Sequence, residues 1–539
     1  MLAKFMVSPV RQIWRVVKYG SLVAIGASTL IVLHQNDYHI SSIGAVRFGR
    51  AAWTACRIVA DYKWSLYGLQ VPGNESFYIQ TKSAVHKRSA NRLLSLACAN
   101  GGVFIKVGQH CGSLDYLLPD EYVKTLSVLH SKAPESSLED MLQVIEEELH
   151  VEPEELFESF DPKPLGAASL AQVYKAKLKN GPVVAVKVQH KRVKPNSFVD
   201  MTTMEFLVRC VSFVMPEFRL NWLVEEMKKN LPNELNFLAE GHHADRVRRM
   251  FAHLPFLKVP EIYWDLSTDR VLTMEYVQGG QVNDLNYMIK HNISPAEVCK
   301  KLGRLYSEMI FVQGYVHCDP HPGNLLVFRH PKRGLQLVLL DHGLYATLDE
   351  DFRLNYANLW LAILKADLPA IKTAATAMGV GDFYGMFACM VTARSWESVS
   401  SGIDKAKMTR EENAEIKRYV ATYLTQISDV LARVPRPMLL IFKTNDLLRG
   451  IEYTLGTTKN AYSFLEMSRY CVSAVYDYAY KRCEGSLACV VRTQLYKWLA
   501  LGRITVYTWL LSFVNAIGVK GFCDPRLLGT LLWCLRFLQ

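Results

Sequence analysis

No Cys-x-x-Cys pair occurs among the twelve cysteines of this 539-residue chain, and their scatter marks no disulfide-stapled domain. Reduced, buried thiols are the expectation. Acidic residues are missing from residues 1–36, where Lys4, Arg11, Arg15 and Lys18 give a net charge of +4. They are scarce again in residues 481–539, where Glu484 and Asp524 face eight Lys/Arg for a net +6. The whole chain carries +11, so the body between the two ends keeps only +1. That argues against a nucleic-acid binder, which shows a basic face on a folded domain. Positive charge on two apolar-rich ends suits an anionic membrane surface instead. With 50% hydrophobic residues the chain can bury several cores, in two to four units by length.

The amino-terminal segment has three readings. Residues 1–18 are basic, apolar and acid-free, as a mitochondrial presequence is, and residues 19–33 form an uncharged, mostly apolar run. A secretory signal needs a small-residue cleavage site, and Ile31-Val32-Leu33-His34 is a poor one. The run is short for a membrane span, although Val16 and Val17 extend it if Lys18 snorkels. A folded amphipathic helix is the third reading. Mitochondrial targeting, with or without a retained anchor, fits residues 1–35 best, and an inner-membrane association follows as an expectation.

The apolar spacing over residues 83–130 is helical, with Ala90, Leu93, Leu94, Ala97 and Cys98 on one stripe. Val103-Phe104-Ile105-Lys106-Val107-Gly108-Gln109 interrupts it with a buried-looking run that carries one cation. A capping box at Ser136 and Glu139 opens a further helix. Next comes a small-residue loop, Gly166-Ala167-Ala168-Ser169, then a strand over residues 170–178, the hairpin turn Asn180-Gly181 and a return strand ending in Lys187. In a kinase this order covers nucleotide phosphates with a lid and delivers a lysine to them. The lid is Ala-rich, so methyl groups restrict the approach of its amides and stiffen it. Lys187 needs a carboxylate. Glu234 and Glu240 are six residues apart and do not stack on one helical face, so they serve different cations. Glu240 is assigned to Lys187 and Glu234 to Lys106. Residues 271–277 read as the strand crossing between two lobes, with Glu275 and Tyr276 beside the adenine.

Asp319, Asn324 and Asp341 complete the pattern. They lie in His317-Cys318-Asp319-Pro320-His321-Pro322-Gly323-Asn324 and Leu339-Leu340-Asp341-His342-Gly343. Asp319 suits the base or orienter of the attacking hydroxyl. Asn324 offers a neutral oxygen and Asp341 a charged one, an oxygen set for magnesium rather than zinc. His317, Cys318 and His321 lack a further Cys/His pair to close a tetrahedral zinc site. No activation segment follows, because Asp341 leads quickly to Asp349-Glu350-Asp351 and a helix. Residues 352–480 read as helical throughout. Residues 498–522 are apolar with interface-type aromatics, either a membrane-surface helix or short span, or a helix packed on the body.

On these residues the chain resembles the aarF-domain (UbiB-like) atypical kinase family over about residues 85–465. The match comprises Lys106-Val-Gly-Gln109, Ala167-Ala168-Ser169, Lys187, Glu234, Glu240, Asp319, Asn324 and Asp341. The resemblance implies an α+β, protein-kinase-like two-lobe fold with an added helical segment whose Lys-x-Gly-Gln motif restricts the cleft. The units are then residues 1–35, a helical extension at 36–160, a small lobe at 161–280, a helical lobe at 281–480 and a basic tail at 481–539. It also implies ATP or ADP with magnesium, an ATPase or a small-molecule or lipid-directed phosphotransferase, and a role in mitochondrial lipid or coenzyme Q homeostasis. A nucleotide-gated scaffold is the alternative, and a conventional protein kinase is the weakest reading. Expected partners are mitochondrial membrane lipids, a lipid or quinone-like ligand or a membrane protein, and no nucleic acid. The chain departs from the family pattern at Gly166, at Asn236 in place of aspartate and at His342 in place of the phenylalanine of Asp-Phe-Gly. Asn236 is expected to weaken the hold on Lys106, and His342 to change the packing that poises Asp341.

Overall fold

The structure is a computed structural model. It describes residues 43–69, 75–112, 118–130, 135–216, 221–401, 427, 430–431, 433–457 and 462–517. Residues 1–35, for which a targeting or anchor segment is expected, lie outside these residues.

The small lobe is an antiparallel sheet in the order β1-β3-β4-β6, formed by Phe157–Phe160, Ala171–Leu178, Val183–Gln189 and Val271–Glu275, with β2 (Gly166–Ala167) beside β3. Asn180 turns the β3–β4 hairpin at φ +58°, a conformation that asparagine tolerates. Successive side chains of β4 point to opposite faces. Val184, Val186 and Val188 therefore share one face and are fully buried with Met141, Val144 and Ile145 of the helix Leu138–Leu149. Lys187 has the opposite parity, and this aims it at the cleft. The helix is capped by Ser137, whose hydroxyl accepts from the Asp140 amide at 3.2 Å. The capping box expected at Ser136 is thus displaced by one residue. The Ser136 amide instead donates to Gln172 Oε1 of the sheet at 2.5 Å. This helix and β1 pack with the sheet, so the small lobe takes in chain from before residue 161.

Four helices precede that lobe: α1 (Gly44–Ser65), α2 (Glu75–Asn100), α3 (Val103–Gly112) and α4 (Asp120–Leu126), with Leu138–Leu149 following as α5. The run expected to interrupt the helical stretch is itself α3. Gly101 and Gly102, at φ +67° and +51°, break the chain between α2 and α3. Two long helices, α6 (Val193–Val214) and α7 (Asn221–Glu234), follow β4, and α8 (Phe237–Met250) carries Glu240. α1 packs along α6 through a buried bidentate pair, Arg47 to Asp200 at 2.7 and 2.5 Å.

The second lobe holds a four-stranded sheet, β5-β10-β9-β7 (Leu257–Lys258, Gly334–Leu339, Leu325–His330, Gly280–Gln281), and a two-stranded one, β8 (Tyr315–His317) with β11 (Tyr345–Thr347). Around them lie α9 (Pro295–Glu308), α10 (Glu350–Lys365), α11 (Leu368–Ala377), α12 (Arg436–Thr454), α13 (Tyr462–Lys481) and α14 (Leu487–Ile517), with several shorter helices. Gly314 stops the turn after α9 at φ +63°, where a Cβ would stand 2.5 Å from the Leu348 carbonyl oxygen. The fold is thus α+β and kinase-like, two lobes with a helical extension.

One expectation changes. Cys483 and Cys489 form a disulfide between α13 and α14, and Cys56, Cys98 and Cys210 are exposed, so the thiols are neither all reduced nor all buried. Among the described residues no helix is long and apolar enough to cross a membrane; residues 518–539, which include the end of the apolar stretch at 498–522, lie outside them.

Beside its apolar buried face α12 carries a half-buried polar group. Asn445 donates to the Tyr356 hydroxyl at 3.1 Å, and Arg449 bonds Asp446 and the Val391 carbonyl oxygen. Burial pushes Glu452 from 4.5 up to about 7, against the pull of Arg449. Its folded value exceeds its unfolded one. The stabilisation from its held proton is therefore complete below about pH 4.5 and is lost as pH rises through 7, at most about 1.4 kcal/mol per unit. Glu452→Gln should match the wild type in thermal unfolding near pH 5 and be the more stable chain above pH 7.

Candidate functional site

Lys187 is the meeting point of both lobes. Its ammonium lies 2.7 and 2.8 Å from the two oxygens of Glu240 and 3.6 Å from Asp341. Glu240 sits in the first turn of α8, where the helix dipole favours a carboxylate, and Asn236 caps that helix by accepting from the Ala239 amide at 3.2 Å. The surrounding protein desolvates Lys187, but Asp341 and Glu240 outweigh this and hold the amine above its usual range. Burial is the larger effect on Glu240 and pushes it up to about 7 despite Lys187. The His342 amide also points at Glu240 Oε1, at 3.4 Å, which ties the Asp341 loop to α8.

A second set of charges lies at the other end of the cleft. Lys106 of α3 pairs with Glu234 at 2.7 Å. The six-residue spacing called for two different partners, and the pairs are the ones assigned, but the reason is stronger than helical phase. Glu234 ends α7 and Glu240 begins α8, so a helix break separates them. The side chain of Asn236 caps α8. Asp319 pairs with Lys443 of α12 at 2.9 Å. Desolvation opposes the Asp319 charge, but Lys443 and Lys106 outweigh it and hold the carboxyl far below the usual range. Asp341 is lowered to about 2 by Lys187, Lys106 and the Gly343 amide, again against desolvation.

Asp319 follows β8 and Asp341 follows β10, so strand ends present both. The Asn324 side-chain nitrogen donates to the Asp319 carbonyl oxygen at 3.1 Å, which leaves the amide oxygen for a cation. Leu340, the neighbour of Asp341, donates its amide to the Asn324 carbonyl oxygen at 3.0 Å and keeps the two candidate metal oxygens in register. Among the described residues no group of three His, Cys, Asp or Glu could hold a metal. One carboxylate and one amide oxygen, completed by phosphates and water, fit magnesium.

Histidines brace this centre. His317 donates from Nε2 to the Asp341 carbonyl oxygen at 2.5 Å and accepts at Nδ1 from the Tyr306 hydroxyl. His342 donates from Nε2 to the Leu339 carbonyl oxygen at 3.1 Å and accepts at Nδ1 from Tyr345 at 2.7 Å. Burial lowers His342 to about 3, so it stays neutral. It adds two hydrogen bonds to ring packing on Tyr345 and so ties the Asp341 turn to Leu339 and Tyr345.

α3 approaches closely at Gly108, where a Cβ would stand 2.4 Å from Leu129 Cδ1. Gln109 donates to the Leu129 carbonyl oxygen at 3.0 Å, and His130 bonds the Gln109 carbonyl oxygen and stacks on His321 with centroids 5.0 Å apart. One helical turn after Lys106, His110 has Nε2 buried with no partner. Lys443, Lys106 and His110 of α3, and the imidazoles of His130 and His321 thus lie close around Asp319. The lid is bonded onto β3 through the amides of Leu165 and Ala168. Gly166 is exposed and a Cβ there would meet nothing, so no steric reason requires glycine; Ser169 is buried. Glu275 bonds Lys258 at 2.7 Å and the Glu261 amide, and the Tyr276 ring lies beneath Lys175. These partners lie outside the Lys187 group.

Sequence reasoning missed Lys443, His110 and His130. Lys443 was readable only as a cation inside the apolar run Met438-Leu439-Leu440-Ile441-Phe442, the kind of lysine that needs a buried partner.

Comparison with known proteins adds relatives. Residues 128–375 match the model of the ABC1 atypical kinase-like domain. AarF domain-containing protein kinase 1 of Mus musculus is 52% identical over 91% of this chain and 93% of its own. AarF domain-containing kinase 1 of Drosophila melanogaster is 48% identical over 93% and 97%, and the putative ABC1 protein At2g40090 of Arabidopsis thaliana 39% over 87% and 89%.

The Lys443–Asp319 pair should show in a double-mutant cycle. Lys443→Met strands a largely buried carboxylate and should lower the unfolding free energy by about 3 kcal/mol at pH 7. Adding Asp319→Asn should recover about 2 kcal/mol of that in urea unfolding. Additive losses would mean that the two side chains are not coupled.

Proposed function

The chain belongs to the ABC1 atypical kinase-like family, and from that premise we propose that it binds ATP or ADP with magnesium and turns over ATP, passing the phosphoryl group to water or to a small-molecule or lipid acceptor. The observation that carries this reading is the Lys187 ammonium held between Glu240 and Asp341. Lys187 would meet the α- and β-phosphates while Glu240 keeps it in place. Asn324 and Asp341 would hold magnesium, which neutralises phosphate charge when bound. Asp319 orients the nucleophile; with its carboxylate so far below its usual range it is a weak proton acceptor. A loose phosphoryl-transfer transition state asks for positioning and charge more than for a strong base.

A conventional protein kinase fits poorly, because Lys443 occupies Asp319 and α3 lies close beside it. The same two observations favour the second reading, a nucleotide-gated scaffold that does no chemistry. In either case we place the protein at a mitochondrial membrane, with a part in lipid or coenzyme Q homeostasis. The acid-free, basic amino-terminal segment and the basic apolar tail support that placement.

Purified full-length protein, supplied with lipid or quinone-like activators, should hydrolyse ATP only with magnesium, and Asp341→Asn should lower turnover by roughly 100-fold or more. No turnover in the wild type removes the enzymatic reading. Restoration of cells lacking the protein by Asp319→Ala, at normal protein levels, would select the scaffold.

A further inference from the structure

α1 and α6 lie side by side, and their outward faces are apolar. On α1 the exposed line runs Trp53, Cys56, Ala60 and Trp64, at helical spacing, and Tyr67 is exposed just past its end. On α6 it runs Phe198, Thr202, Phe206, Cys210 and Phe213. These aromatics are far out in solvent: Trp53 is 66% exposed, Trp64 88%, Phe198 78% and Phe213 88%. Phe48 and Phe206 join the two lines, with ring centroids 6.2 Å apart. A soluble monomer rarely leaves so large an apolar surface open.

Charge says what covers it. The acids on these two helices are tied to cations: Asp200 to Arg47, Asp61 to Arg88 and Arg92, and Glu205 to Arg209 and Lys228. Arg57 and Lys63 of α1 are exposed beside the aromatic line. Aromatic side chains flanked by exposed cations suit the headgroup region of an anionic bilayer. The chain supplies a second reason. The uncharged apolar run at 19–33 comes shortly before α1 begins at Gly44, so a bilayer that took up that run would lie within reach of this face.

We propose that the α1–α6 face is a docking surface for an anionic lipid bilayer, with Trp53, Trp64, Phe198 and Phe213 entering the interface. The inference rests on the membrane placement above and is independent of the catalytic reading. Docking through this face would set the extension against the lipid and orient the cleft relative to the bilayer.

The test uses the full chain and vesicles of phosphatidylcholine with phosphatidylglycerol, some carrying brominated acyl chains. Brominated lipid should quench the tryptophan emission of the wild type more than that of Trp53→Phe/Trp64→Phe. The variant Trp53→Ser/Trp64→Ser/Phe198→Ser/Phe213→Ser should partition at least about tenfold more weakly. Residues 1–42 are present in every chain, so the quenching difference decides. Vesicle binding with equal quenching in wild type and Trp53→Phe/Trp64→Phe overturns the proposal. So does a dimer that the serine variant converts to monomer, which would assign the face to a second copy. A wild type that does not bind vesicles at all removes the membrane placement with it. ATP turnover, measured on the same preparations, judges the catalytic reading separately.

Discussion

A single ammonium inside the protein organises this molecule. Lys187 comes up from the middle of a sheet and must be neutralised where little water reaches it. Two carboxylates from distant chain meet it, one from the first turn of α8 and one from the loop after β10. The lobes cannot separate without stranding one of these charges. The hairpin sets the parity of Lys187, the helix break before α8 places Glu240, and the bonds around His317 and His342 hold the Asp341 turn. These local features differ chemically, but each serves the same charge balance.

A second balance is struck a short way along the cleft, and it has a different consequence. Lys106 with Glu234 and Lys443 with Asp319 are again opposite charges drawn from separate elements. Here the cations lie over the residue that would orient an acceptor. A nucleotide could satisfy Lys187 without breaking a pair that stabilises the fold. An acceptor hydroxyl approaching Asp319 must compete with Lys443 and pass α3. This asymmetry suits the cleft to a nucleotide more than to a bulky phosphoryl acceptor.

Much of the centre was legible because it depends on short-range order. Alternation of β-branched residues, an Asn-Gly turn and a lysine at fixed parity determine the strand that carries Lys187. The interval between Glu234 and Glu240 was enough to give them different partners, although it was read as a matter of helical phase when a helix break is the cause. Asp319, Asn324 and Asp341 flank a single hairpin, β9–β10, so local chain geometry nearly suffices to gather them.

What residue order by itself determined is the direction of each side chain relative to its own helix or strand, since that follows from the backbone repeat. Only the tertiary structure decided which of those faces are covered. Lys443 lies on an apolar helix more than a hundred residues from Asp319, and nothing near either in the chain announces the pair. Ser137 rather than Ser136 caps its helix, and the Ser136 hydroxyl bonds His190, on another element, instead. The aromatic stripes of α1 and α6 would pass for core by periodicity alone, yet they face outward. Periodicity describes one element at a time, and burial is a property of the partners that meet it.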